Sequence, residues 1–328
     1  MADVIATSFA TPNYSGLLFA KGRTATPFSS MIGAKRATTD HVEFAIGVEY
    51  NVGEGEIPNF SENDTLTAPD AKTVTRGQKT NVTQIFMDSF AVGDVKRSNM
   101  GTLAGINVAH QQANPLSEID FQAGVCMQRI AASIEKTFIQ GTYNKATNDN
   151  EVNKTRGMVQ AIESNVLDLG GKALSIWDIA DMLVEIKLQG APTAGLILWC
   201  DSVAKFQLSA EAAANGFTVL NQCRNVNGIN ITRIETPAGA VDLHEGMYLP
   251  EGTAMLLNFD VIKPVEQIVP GKGNFYLQEM AKTGFSTKYS ILGQIGLDHG
   301  PEWMHGKFTG IKTTYDRPNG VLINNVNA

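Results

Sequence analysis

The sequence predicts an α+β fold in which an extended β-hairpin and one long helix precede a smaller α/β unit. Three observations carry that prediction. Apolar and small or charged residues alternate strictly over His41 to Tyr50, apolar residues recur at three- and four-residue spacing from Leu116 to Phe138, and helix-like and strand-like segments alternate from Leu174 onward.

Composition supports a folded chain. With 328 residues, 43% hydrophobic and 18% charged, it is long enough to bury one large core or two ordinary ones and lies far from the composition of disordered chains. No run approaches the ~18 consecutive apolar residues of a membrane span. Met1 to Ala20 lacks a basic start and a continuous apolar stretch, so the expectation is a protein kept in a cytoplasm, with no membrane partner. Cys126, Cys200 and Cys223 are too few and too widely spaced for a disulfide framework or a paired metal knuckle, and read as reduced, buried thiols. The 33 acidic and 26 basic residues give a net charge of -7, which argues against a tight nucleic-acid binder yet permits a wall that encloses DNA without gripping it.

Along the chain, residues 1 to about 38 are rich in Ser, Thr, Ala, Gly and Pro with scattered Phe9, Tyr14, Leu17, Leu18 and Phe19, the pattern of an extended arm that packs on something else. Val42, Phe44, Ile46, Val48 and Tyr50 then share one face of a strand. Asn51 to Ala71 dissolves into Gly, Pro and the acids Glu54, Glu56, Glu62, Asp64 and Asp70, with no basic residue until Lys72. Thr73 to Val92 is dense in β-branched and aromatic residues and suits a partner strand for the first. An isolated two-stranded ribbon is marginal in water, so a hairpin of this length should lie on a neighbouring surface.

After a polar link over Ser98 to Ala113, Asn114 is a plausible cap and Pro115 a first helical residue. Leu116, Ile119, Ala123, Met127, Ile130, Ile134 and Phe138 form one stripe until Gly141. That gives a helix of about 26 residues, roughly 39 Å long. An α/β unit follows, with helices at Ile176 to Gln189 and Ser202 to Asn215 and strands at Gly195 to Cys200, Ile229 to Ile234, Val241 to Leu243 and Ala254 to Asn258. Phe259 to about Ile311 is again strand-rich, and the tail is polar.

Signals for chemistry are weak. Asp298, His299, Glu302 and His305 offer metal-ligand residue types, but the histidines are separated by six positions with Gly300 and Pro301 between them, so a turn with ordinary polar contacts is expected. Gly271-Lys272-Gly273 lacks the spacing and the Ser/Thr of a phosphate loop and reads as a turn. No serine sits in a nucleophile elbow and no cysteine has a neighbouring histidine. No catalytic residue, cofactor or metal is expected, and Trp199 and Trp303 read as core.

The element order resembles the Hong Kong 97-type fold of tailed-bacteriophage major capsid proteins. Arg76 to Val92 (RGQKTNVTQIFMDSFAV), Arg156 to Asn165 (RGMVQAIESN) and Gly296 to Ile311 (GLDHGPEWMHGKFTGI) resemble the branch related to phage SU-ten. The resemblance implies residues 1–40 as the N-terminal arm and 41–93 as the extended loop. It implies 94–173 with 254–328 as the peripheral domain, carrying a spine helix over 115–141, and 174–253 as the axial domain.

It also implies a non-enzymatic subunit that assembles with copies of itself into pentamers and hexamers of an icosahedral head. The head would enclose double-stranded DNA without sequence-specific binding, be assembled in the host bacterial cytoplasm and be carried in the virion, with portal, scaffolding or decoration proteins as further partners. The acidic tip would meet basic residues of the next subunit, which makes Glu54, Glu56, Glu62, Asp64, Lys72, Arg76 and Lys79 the candidate contact residues. Two other readings stay open: an encapsulin-type nanocompartment shell, which shares the fold, and a cytoplasmic α/β enzyme.

Overall fold

A computed structural model of the chain describes residues 5–6, 24–53, 55, 57–67, 73–98, 118–214, 224–226, 229–282, 284–316 and 322–324. The polar link with Asn114 and Pro115, Asn215, Cys223, most of the arm, and Glu54, Glu56, Asp70 and Lys72 lie outside these residues.

The long helix spans Glu118–Gln140, 23 residues, or about 34 Å at 1.5 Å per residue. Its inner face is Cys126, Ile130, Ile134, Phe138 and Ile139, with Ile119 and Ala123 packed beside them. Cys126 takes the core position that spacing assigned to Met127, which is largely exposed. Positions 126 and 127 both lie near one face at the 3.6-residue period, and the structure places the three-residue step at 123 to 126 and not at 127 to 130.

That face packs on a six-stranded sheet ordered Ile5–Ala6, Gln84–Gly93, Ser286–Asp298, Lys263–Gln267, Ala37–Thr39, with Tyr276–Glu279 also pairing on Ser286–Asp298. Phe86, Phe90, Val92, Ile291 and Ile295 meet the helix there. The pairing corrects the expectation that Thr73 to Val92 is one strand of the hairpin. Arg76–Val82 pairs with Glu43–Tyr50, and after Thr83 the chain changes partner, Gln84–Gly93 running antiparallel to Ser286–Asp298. The reason is burial, because Phe86, Phe90 and Val92 are claimed by the core under the helix. Thr83 secures the crossing, its N–H donating to Val42 O at 2.8 Å and its hydroxyl to Gln267 Oε1 at 2.7 Å.

A seven-stranded sheet follows the order Val166–Asp168, Gly306–Thr309, Ala254–Asn258, Leu196–Cys200, Gly239–Glu245, Ile229–Thr236, Arg224–Val226. Helices Ile176–Leu188 and Ser202–Ala214 cover one face, burying Ile179, Leu183, Ile186, Ala204 and Leu208. Ser175 caps the first of them through a capping box with Asp178. The two central strands form a wall between two cores: Leu196, Leu198, Cys200, Ala254 and Leu256 face these helices, while Ile197, Trp199, Met255 and Leu257 face the long-helix core. The expected division after residue 253 therefore falls inside one sheet, because strands from the end of the chain complete what the α/β unit begins.

The arm needs a second correction. Residues 24–39 are built into the chain's own body. Helix Pro27–Ile32 buries Phe28 and Ile32, Phe28 lying 5.6 Å edge-on from Trp199 and 5.4 Å from Phe259, and Ala37–Thr39 pairs in parallel with Val265–Gln267. Burying one phenylalanine contributes roughly 2 to 3 kcal/mol, enough to hold so short a helix in place.

Candidate functional site

Among the described residues the hairpin is largely exposed beyond its root, and the root is fixed by buried polar bonds. Asn81, fully buried, donates from Nδ2 to Leu297 O at 2.7 Å and to Arg156 O at 3.3 Å, and accepts the Arg156 N–H at Oδ1 at 2.8 Å. Phe44 and Ile46 of the opposite strand are buried with Val265 in a small core of their own. At the surface, Lys145 Nζ lies 2.6 Å from Glu43 Oε2 and Lys79 Nζ 3.6 Å from Glu302 Oε1.

Beyond the root the strict alternation fails. The register shifts between Ile46 and Val48, and Tyr50 is exposed although it was expected on the face of Phe44 and Ile46. A bulge at Gly47 accounts for this, since one extra residue turns every later side chain to the other face.

The tip shows what composition alone concealed. Val52, Ile57, Phe60 and Leu66 are 77%, 94%, 72% and 82% exposed. Four large apolar side chains are therefore exposed within one loop, in a stretch that composition marks as acidic. The acids around them are also exposed. Asp64 accepts the Ser61 N–H and hydroxyl, each at 2.8 Å, and these bonds hold its carboxyl below the usual range while closing the tip into a short turn over Asn63–Leu66. Glu62 and Arg76 project to solvent. Lys79, expected to meet a neighbouring subunit, is turned to Glu302 of its own chain.

The histidine and carboxylate cluster belongs to the body under the root. His305 accepts the Asn258 N–H at Nδ1 (3.1 Å), and its Nε2 lies 2.9 Å from His299 O; His299 Nδ1 lies 2.7 Å from Gly300 O. Asp298 pairs with Lys263 at 3.3 Å and accepts the Gly300 N–H. Glu302 accepts the N–H groups of Glu163 and Ser164 at 2.9 and 3.0 Å. Burial works against the Glu302 charge, but those donors together with Lys79 outweigh it and keep the carboxyl below its ordinary value. Each member is thus spent on holding a turn, and among the described residues no group of three or more His, Cys, Asp or Glu gathers in metal-binding geometry. The Gly271-Lys272-Gly273 turn is closed by a bridge between Val269 and Gly273. Cys126 and Cys200 are buried free thiols, and burial pushes the Cys126 thiol up to about 11.

The model of the SU10 major capsid protein family matches residues 3–312. The chain belongs to this family. A search of curated protein sequences finds no match. The capsid protein is similar in fold to a subunit of the cyanophage A-1(L) capsid (TM-score 0.65, 11% identity, 94% of this chain and 98% of that one). It is similar as well to the capsid of Myoviridae phage XM1 (0.57, 10%, 95% and 100%) and to the SrpI encapsulin of Synechococcus elongatus PCC 7942 (0.61, 12%, 94% and 96%). The fold is the Hong Kong 97 type, and membership of the family makes the chain a structural protein of the virion.

Proposed function

We propose that the capsid protein assembles with copies of itself through the hairpin tip, forming rings of five and six that close an icosahedral head around double-stranded DNA. The observation that carries this reading is the exposed set Val52, Ile57, Phe60 and Leu66 on a loop whose root is bonded into the body. A fixed root presents the tip in one orientation, so little ordering cost is left when it docks. Head-to-tail contact of one tip with the next body closes into a ring when the rotation permits.

Apolar side chains supply the contact area, and Glu62, Asp64 and Arg76 at the rim set its register, with Glu54, Glu56 and Lys72 continuing the same stretch of sequence. Lys79 serves the root instead. Residues 41–82 act as the extended loop, the long helix as the spine, and the outer part of the seven-stranded sheet with its two helices as the axial part. A net charge of -7 suits a wall that holds DNA without gripping it, and the reading includes no catalytic step. Assembly takes place in the bacterial cytoplasm, with portal, scaffolding or decoration proteins as further partners.

The test is electron microscopy of purified wild-type protein beside Ile57→Ser/Phe60→Ser/Leu66→Ser. Closed shells, or rings of five and six, are expected from the wild type, and folded unassembled subunits with an unchanged melting temperature from the variant. Normal shells from the variant would overturn the role of the tip. The similarity in fold to an encapsulin favours a second reading, a container for protein cargo, and the nucleic-acid content of shells purified from infected cells decides between the two.

A further inference from the structure

The long helix turns one carboxylate into the protein. Glu135 is 1% exposed and accepts the N–H of Phe28 at 2.8 Å, the N–H of Ser29 at 2.7 Å and the hydroxyl of Ser29 at 2.6 Å. These donors belong to the first turn of helix Pro27–Ile32, whose own cap position, Thr26, makes no side-chain cap bond. Helix starts leave N–H groups without intrahelical partners, and here a side chain more than a hundred residues along the chain fills the place.

Among the described residues no cation is bonded to the carboxylate, and its partners are these three donors alone. Residues 24–32 carry no ionisable side chain, and just beyond them Lys35 pairs with Asp260 and Arg36 with Glu266. On the helix itself Arg129 pairs with Asp88, Glu118 with Lys96, and Lys136 faces solvent. On the seven-stranded sheet His244 is stacked on the Trp199 ring that Phe28 touches.

We propose that Glu135 is a proton-operated latch, which holds helix Pro27–Ile32 against the long helix and sets by its charge how firmly residues 24–39 stay docked. This device goes beyond assembly at the hairpin, because it governs an attachment within one subunit. The rest of the docking is modest: two buried side chains, two ion pairs at the surface and three residues of parallel pairing at a sheet edge.

The sign follows from the two opposed effects on the carboxyl. Burial raises its pKa above the ordinary 4.5, and the bonds from Ser29 and Phe28 lower it without cancelling the rise. Docking therefore takes up a proton. The segment is held most firmly at acid pH and less firmly as pH rises from 4.5 through the docked value, by at most about tenfold per pH unit inside that window.

The test is amide hydrogen exchange of Phe28 and Ser29 in the full chain from pH 4 to 8, corrected for intrinsic rates, in wild type and Glu135→Gln. His244 is common to both proteins, so the ratio of their protection factors isolates Glu135. That ratio should fall across one window as pH rises and then level off; a flat ratio, or one that increases with pH, overturns the latch. Should Glu135→Gln fail to fold, carbon NMR titration of the Glu135 carboxyl in wild type and Ser29→Ala gives an independent answer. Loss of the hydroxyl donor should move the midpoint upward, and an unmoved midpoint overturns the proposal.

Discussion

The ring of Phe44 occupies the space that Gly296 leaves open: a Cβ at Gly296 would lie 2.7 Å from Phe44 Cε1 and 2.9 Å from the backbone oxygen of Val82. The hairpin and strand Ser286–Asp298 approach this closely only because one of them lacks a side chain there. Gly296→Ala should therefore destabilise the root by about 1 to 3 kcal/mol, the usual cost of overpacking. Urea denaturation measures it, and a midpoint equal to that of the wild type would remove this contact from the account.

Asn81 offers a sharper test of the same root. Its amide donates to two carbonyls and accepts two N–H groups, those of Arg156 and Val82, in a fully buried site. Asn81→Ala leaves those backbone groups without partners, at a cost of roughly 2 to 3 kcal/mol. Asn81→Asp should be worse, because it aims an anion at the carbonyls of Leu297 and Arg156. Thermal denaturation should rank wild type above the alanine variant and the alanine variant above the aspartate; the reverse order for the two variants would show that water reaches the site.

Lys79 and Glu302 form one ion pair, yet they should respond differently to removal. Lys79 is well exposed, and a pair of that kind contributes about 1 kcal/mol or less. Glu302 also accepts the N–H groups of Glu163 and Ser164, which its loss would strand. Glu302→Ala should cost at least twice as much stability as Lys79→Ala. Equal effects in denaturant melts would mean that the charge pair is all that matters.

The sequence revealed whichever elements meet a single environment along their length. The long helix was legible because Ile130, Ile134 and Phe138 all face one core. The stretch from Thr73 to Val92 was not, because its residues are uniformly strand-like while their partners change at Thr83, and a change of partner leaves no mark in propensity. The division after residue 253 that the resemblance implies has a similar difficulty: Ala254–Asn258 alternates between two cores, so its sequence reads as a buried strand of either. At the tip the acids drew attention by their number, whereas Ile57, Phe60 and Leu66 lie too far apart to form any period. Only their exposure identifies them.

Acid should loosen the fold through three buried histidines. His244 lies flat on Trp199, 4.3 Å between ring centres, and His299 and His305 sit in the turn under the hairpin root. Burial holds each of them down to about 4, below the ordinary 6.5. His305 shows why the charge is refused: its Nδ1 accepts the Asn258 N–H, so protonation there would set donor against donor. Near His299 the cations Arg156 and Lys79 add to the resistance. Because the folded pKa values lie below the unfolded ones, this stability is fully present above pH 6.5 and is lost as pH falls from 6.5 toward 4. Three such groups can remove up to about 4 kcal/mol per pH unit within that window. Glu135 opposes the trend with a single proton, so the histidines should dominate. Urea midpoints from pH 7.5 to 4.5 should fall steeply below 6.5, and His244→Phe, which keeps a ring on Trp199, should reduce the slope by about a third. A midpoint that stays level through the window would show that water or rearrangement lets these rings take up protons freely.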